Sequence, residues 1–213
     1  MHPKNFIILT LSVTIIFAVT TPGRVQGQEI IEPGIGDPYP LEICLLSDEP
    51  LEDDPEIFDY QGQEVRVCCN DCMSRFADEA FLHVDAIKKR LIEQQKPVYP
   101  LKKCIVTGKA LDGDAVDFVF RNRLFRLSSS DAEVELKKNP SKYFGDLDFA
   151  VIEKQKGSYP LKTCVVSDKA LGDDAIDHVI ANQLVRLADF DQILEFNKNP
   201  GKYLYKIRSA AGG

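Results

Sequence analysis

The sequence predicts an α+β protein built from three tandem small modules, each a strand, a β-hairpin and helices. Two observations carry that prediction. The chain repeats itself with a period of 60 residues: Tyr-Pro-Leu-x-x-Cys begins at Tyr39, Tyr99 and Tyr159 and places Cys44, Cys104 and Cys164 at one offset. Within each period, β-rich runs surround a turn and precede helix-start signals. Copies two and three align without a gap, YPLKKCIVTGKALDGDAVDFVFRNRLFRL against YPLKTCVVSDKALGDDAIDHVIANQLVRL, and KNPSKYF later matches KNPGKYL. Copy one is more divergent but keeps the frame.

The elements follow in order. Cys104-Ile-Val-Thr-Gly-Lys-Ala-Leu111 is a short apolar run with a Gly turn and is expected to be a strand. VDFVF and LFRL flank Arg121-Asn122-Arg123 and read as a hairpin, with Gly62 or Asn182 at the turn in the other copies. Ser130-Asp-Ala-Glu133 has the form of a capping box opening a helix. Asn139-Pro140 stops that helix and starts a second one. Copy one has no proline there, so a single helix from about Asp71 to Gln95 is expected. The Tyr-Pro pairs at 39, 99 and 159 are expected to fix the start of each module's strand.

Ahead of the repeats, His2 and Lys4 precede an apolar run from Phe6 to Val19 and a short polar stretch that ends in Gly27. This is the layout of a secretory signal peptide over residues 1–27. The run is shorter than the ~20 residues of a membrane-spanning helix, so cleavage rather than anchoring is expected. A linker over 28–38 then leads to modules at 39–98, 99–158 and 159–213. With 44% apolar and 28% charged residues in 213, the chain has a globular composition. Loss of residues 1–27 removes Lys4 and Arg24 and no acid, which takes the formal charge from −7 to −9. An acidic exported protein, periplasmic or extracellular, is poorly suited to nucleic acid or anionic lipid. Its compartment is oxidising, so free thiols there need a metal or burial to persist.

Copy one holds Cys44, Cys68, Cys69 and Cys72. On the module frame these fall on the first strand beside its turn, at the end of the hairpin and in the first turn of a helix. Treble-clef metal sites bring a knuckle and a helix N-terminus together in this way. The positive end of a helix also favours the thiolate form that metals require. The four cysteines, with His83 as a further candidate, form the expected metal-ligating set for one heavy-metal ion, zinc or copper among the options. His83 occupies a framework position filled by Tyr143 and Tyr203 in the other copies, and taken alone it reads as a packed imidazole.

The pattern C-x23-C-x3-C of Cys44, Cys68 and Cys72, followed by Phe76, resembles the metal-binding YHS and TRASH-type modules. In that family a lone cysteine precedes a hairpin and a paired motif opens a helix. The KNPSKYF and KNPGKYL tails are similar to its NP-x-K-Y ending. The resemblance implies heavy-metal binding or trafficking, often of copper, zinc or mercury, and it spans residues 39–213. The cysteine motif is met only in copy one. Ser128, Ser129 and Ala132 replace it in copy two, and Ala188, Asp189 and Gln192 in copy three. Those copies read as modules kept for packing or for contact with a protein partner.

Two other readings of the cluster stay open. One is a pair of structural disulfides, whose connectivity the sequence does not choose, in a scaffold that binds a partner or the cell envelope. The other is thiol–disulfide exchange at Cys69-Asn-Asp-Cys72, without the βαβ context such enzymes use. Cys104 and Cys164 read as buried thiols, with a bridge between them as the alternative. The recurring acids (Glu52, Asp53, Asp54 and Glu56; Asp112, Asp114 and Asp117; Asp173, Asp174 and Asp177) lack the order of a calcium loop and read as solvated turns. His178 aligns with Phe118 and reads as half-buried packing. With no nucleophile motif and no phosphate loop, a non-enzymatic protein is expected.

Overall fold

The structure, a computed structural model, describes residues 34–52 and 54–212. The predicted signal peptide and most of the predicted linker lie outside the described residues. Three modules follow one another, each a two-stranded antiparallel hairpin and then two helices. Module 1 contains β1 (Glu56–Tyr60), β2 (Gln63–Val67), α1 (Asn70–Asp78) and α2 (Ala80–Gln95). Module 2 contains β3 (Val116–Phe120), β4 (Arg123–Leu127), α3 (Asp131–Lys138) and α4 (Pro140–Gln155). Module 3 contains β5 (Ile176–Ile180), β6 (Gln183–Leu187), α5 (Asp191–Lys198) and α6 (Pro200–Ala210).

All three hairpins turn through two residues with positive φ: Gln61 and Gly62, Arg121 and Asn122, Ala181 and Asn182. This conformation matches the right-handed twist of the strands. It is costly for Arg121 and Ala181, and the asparagines beside them compensate by bonding outside their own module. The apolar faces fix the register. Val65, Phe125 and Val185 are fully buried and stand opposite Phe58, Phe118 and His178.

Four expectations need correction. The leading segment of each module is not a strand; it makes one isolated bridge, Ile43 with Pro50, Lys103 with Ala110 and Thr163 with Ala170. Asp48, Gly108 and Asp168 take left-handed φ and fold the run back on itself, so Cys44 N donates to Glu49 O at 2.8 Å and Asp48 N to Cys44 O at 2.8 Å. The single helix expected over 71–95 is broken at Glu79 (φ −133°, ψ 41°), in step with Asn139 and Asn199. Packing dictates this break. Cys72 and Phe76 on α1, and Val84, Ile87 and Leu91 on α2, all turn into one core, which a straight helix could not achieve. The capping box does not form either, because Ser130 is itself helical and its side chain caps nothing. In module 3 the cap lies one residue earlier, where Asp189 Oδ1 accepts from Gln192 N. Asn139 likewise makes no side-chain cap, whereas Asn199 accepts from Lys202 N at 3.2 Å. The leading tyrosines do anchor their modules: Tyr39 and Tyr99 are buried, and Tyr159 accepts the amide of Arg186.

Polar side chains join the modules where the hairpins meet. Asn122 Nδ2 donates to Glu64 O in module 1, and Asn182 Nδ2 donates to Leu124 O in module 2. Gln95, at the end of α2, donates to Asn122 O and accepts from Leu124 N; Gln155, at the end of α4, treats Asn182 O and Leu184 N in the same way. Arg123 is 1% exposed. Its guanidinium forks onto Asp37 at 2.5 and 2.6 Å, reaches Asp148 at 2.6 Å and donates to Val179 O. Asp37 Oδ2 also accepts from Ala181 N, so one carboxylate ties modules 2 and 3 to the segment leading into module 1. Module 1 meets module 3 directly through Arg66 on the carbonyls of Asn197 and Lys198, Asn199 on Leu51 O and Arg208 on Glu42.

Two predictions follow from this packing. Asp37→Ala leaves a fully buried guanidinium without its main counter-charge and is expected to cost about 3–5 kcal/mol in urea unfolding. Gly145 in α4 has open space at its Cβ position, whereas a Cβ on Gly201 in α6 would overlap the Leu41 backbone. Gly145→Ala should therefore stabilise by up to about 1 kcal/mol, and Gly201→Ala should destabilise despite the same gain in helix propensity. Equal shifts in the two variants would contradict this account of the module 1–module 3 contact.

Candidate metal centre

Three elements of module 1 deliver three sulfurs to one point. The folded-back loop at 44–50 carries Cys44, the residue after β2 is Cys68, and the first turn of α1 carries Cys72. Their Sγ atoms all lie within 4.8 Å of one another. Among the described residues this is the one group of three or more Cys, His, Asp or Glu side chains close enough to share an ion. Cys68 Sγ and Cys72 Sγ are 3.7 Å apart. Zinc–sulfur bonds of about 2.3 Å at tetrahedral angles put sulfurs about 3.8 Å apart, whereas a disulfide needs about 2.05 Å. The spacing fits metal thiolates, and all six cysteines carry free thiols.

Burial and hydrogen bonding divide the thiols. Burial pushes the Cys44 thiol up, but the Ser47 hydroxyl and the amides of Cys68, Leu46 and Ser47 outweigh that effect and leave it below the ordinary value. Contrary to the thiolate expected at a helix N-terminus, burial, with hydrogen bonds to Cys68, Cys44 and Cys69, pushes Cys72 up to about 12, so this sulfur keeps its proton until a cation displaces it. Cys68 is half-buried, and Ser47 Oγ lies 3.3 Å from its sulfur. Phe76, in the same buried core as Cys44 and Cys72, meets Phe58 and Tyr60 edge-on at 5.0 and 5.4 Å.

The other two expected ligands, Cys69 and His83, are not among the sulfurs and nitrogens that all lie within 4.8 Å of one another. Cys69 is exposed, with its Sγ 3.6 Å from that of Cys68. Its thiol is pulled below the ordinary value by the Cys72 amide and the Cys68 side chain. The His83 ring stacks on Phe76, centroids 5.8 Å apart. Two features went unread in the sequence. Ser47 was one, although Thr107 and Ser167 repeat a hydroxyl at that offset. The other is a groove of about 480 Å³ beside Cys68, lined also by Glu49, Glu52 and Asp54.

Modules 2 and 3 keep the loop and lose the ligands. Cys104 and Cys164 are buried, each in its own module's core. Burial opposes ionisation of Cys104, but Thr107 and Ser128 donate to its sulfur and bring it down to about 7. Thr107 Oγ1 and Ser128 Oγ lie 2.8 Å apart, where Ser47 and Cys68 stand in module 1. Asp117 and Asp177, from the recurring acids, are held by Lys96 with Arg126 and by Lys156 with Arg186. His178 packs edge-on against Phe196, as its strand position suggested.

No protein-family model matches the chain, and neither a curated protein nor a solved structure matches it. What is established is three repeated hairpin–helix units and one buried cluster of Cys44, Cys68 and Cys72 that could hold a metal. Thiol accessibility should follow the same ordering. In metal-free native protein, iodoacetamide is expected to modify Cys69 first and Cys68 second. Cys44, Cys72, Cys104 and Cys164 should react only after denaturation, which peptide mass mapping would resolve. Early labelling of Cys44 or Cys72 would contradict the buried cluster.

Proposed function

We propose that this protein is exported and non-enzymatic, and that module 1 binds one soft or borderline heavy-metal ion, Zn(II) or Cu(I), through Cys44, Cys68 and Cys72. The observation that carries the reading is the convergence of three sulfurs at metal-thiolate spacing. The resemblance of the cysteine pattern to YHS and TRASH-type modules supports it and points to metal trafficking or sensing. Three thiolates leave a coordination position open, as transfer requires, whereas a structural site would be closed by four. Carboxylates in the groove beside Cys68 add negative potential where a cation would arrive. Modules 2 and 3 brace module 1, and the exposed Val134, Phe149, Phe190 and Leu194 support contact with a protein partner. No helix among the described residues is long and apolar enough to cross a membrane.

The test is metal analysis combined with thiol titration on protein purified from its native compartment. The expected result is one ion per chain and thiols freed by chelator alone. Cys72→Ser should weaken uptake by about 100-fold or more, beyond what even an outer-shell change costs. Affinity should fall on acidification, because the ion must displace the proton that burial holds on Cys72. Thiols that appear only with reductant, and a Cys72→Ser variant with no metal to lose, would establish the disulfide scaffold instead. Turnover in an insulin-reduction assay above a Cys69→Ser control would establish the thiol–disulfide enzyme.

A further inference from the structure

Four thiols in module 1 form a graded series from solvent to core. Cys69 is exposed, Cys68 is half-buried, and Cys72 and Cys44 are 3% and 0% exposed. The outer three sulfurs are evenly spaced, 3.6 Å from Cys69 to Cys68 and 3.7 Å from Cys68 to Cys72, and Cys44 lies within 4.8 Å of Cys68 and Cys72. Both distances are close to the about 3.8 Å edge of a metal-thiolate tetrahedron, so Cys69 with Cys68, and Cys68 with Cys72, can each share an ion with no backbone movement. The backbone holds the outermost thiol in place. Cys69 is extended (φ −163°, ψ 167°) at the mouth of α1, and its carbonyl accepts from Met73 N at 3.1 Å. Yet Cys69 is not one of the sulfurs that converge on the common point. A ligand so placed lies at the solvent edge of the site, where another molecule can meet it.

We propose that Cys69 is a handover thiol: it takes a soft metal ion from a thiol-bearing carrier and passes it across Cys68 to Cys44 and Cys72. This inference rests on the metal-binding reading above. The step is ligand exchange without redox change. The metal–sulfur bond to the carrier breaks as the bond to Cys69 forms, and the proton of the Cys69 thiol goes to the carrier's sulfur. The ion then exchanges Cys69 for Cys68 and the two buried thiols; of the protons these three thiols lose, one returns to Cys69 and the others go to solvent. At no point is the ion released to water, which suits ions such as Cu(I) that prefer thiolates.

The test uses Cu(I) held by glutathione as the probe, with two readouts on the full chain. Equilibrium affinity is measured by competition with a chromophoric Cu(I) chelator, and loading rate by stopped-flow absorption of the copper–thiolate bands. Cys69 is exposed and lies outside the core, so Cys69→Ser should fold normally. The expected result is affinity within about threefold of the parent and loading slowed by about tenfold or more. Three results would overturn the proposal. Affinity lost as severely as in Cys68→Ser would make Cys69 a resident fourth ligand. Unchanged loading would remove any role in exchange. Loading that is unchanged in Cys69→Ser but slowed, in a salt-dependent way, in Glu49→Gln/Glu52→Gln/Asp54→Asn would place entry at the acidic groove. A parent protein that takes up no Cu(I) by either readout, and no Zn(II) or Co(II) on equilibrium dialysis, would remove the metal-binding reading itself, and this inference with it.

Discussion

The buried fork between Arg123 and Asp37 is the constraint on which the rest of the structure depends. Each module has too little apolar surface to stand alone, and its hairpin leaves polar backbone facing its neighbours. Arg123 fills the point where the modules meet, and no water reaches it. A desolvated guanidinium is tolerable only if its donors are met, and four of its five N–H groups are: two by Asp37, one by Asp148 and one by the carbonyl of Val179. Asp37 spends its remaining capacity on the Ala181 amide. Because that network joins the segment before module 1 to modules 2 and 3, separating Asp37 from module 2 would strand a charge, and moving module 3 would strand the Val179 carbonyl and the Ala181 amide. The close approach of Gly36 is part of the same arrangement, since a Cβ there would lie 2.7 Å from Arg121 Cβ.

Most of the module fold was legible, because the repeat supplied three readings of each element. The hairpins were clear from β-rich runs flanking a short turn, and the second helix from Asn-Pro. What escaped was whatever depended on packing or lay outside the repeat. The break at Glu79 has no proline to announce it and comes from two helix faces that must share one core. The leading apolar run looked like a strand because its composition is that of a strand. A single left-handed residue, Asp48, Gly108 or Asp168, turns it into a loop instead. Asp37 lies in a stretch that reads as linker, since nothing local marks a carboxylate whose partners are 86 and 144 residues away.

At the site, spacing alone found Cys44, Cys68 and Cys72, because loop, hairpin end and helix start are fixed by the module. It could not rank Cys69 against them. Vicinal residues are equivalent in a pattern, and only the extended backbone before α1 leaves Cys69 in solvent. His83 was drawn in by its chemistry, and its ring lies on Phe76, where Tyr203 likewise stacks on Phe196 in module 3. The position therefore reads as an aromatic packing site in the frame. Ser47 was missed because hydroxyls are common, although its recurrence as Thr107 and Ser167 was a usable signal.

Modules 2 and 3 show what the fold needs once the thiols are gone. Ala132 and Gln192 replace Cys72, and Ser128 and Ala188 replace Cys68, yet Leu136 and Phe196 still fill the place of Phe76 and the helices still break at the same residue. A hydroxyl pair at 2.8 Å is enough to close the loop in module 2. Neighbouring modules thus provide the stabilisation that an isolated unit of this size would draw from a metal. Module 1 has the same support: Gln95 and Asn122 on one side, Asn199 and Arg208 on the other. Its thiols are consequently freed from holding the fold. A site relieved of that duty can bind and release an ion without unfolding, and this is the physical condition for exchange rather than structural storage.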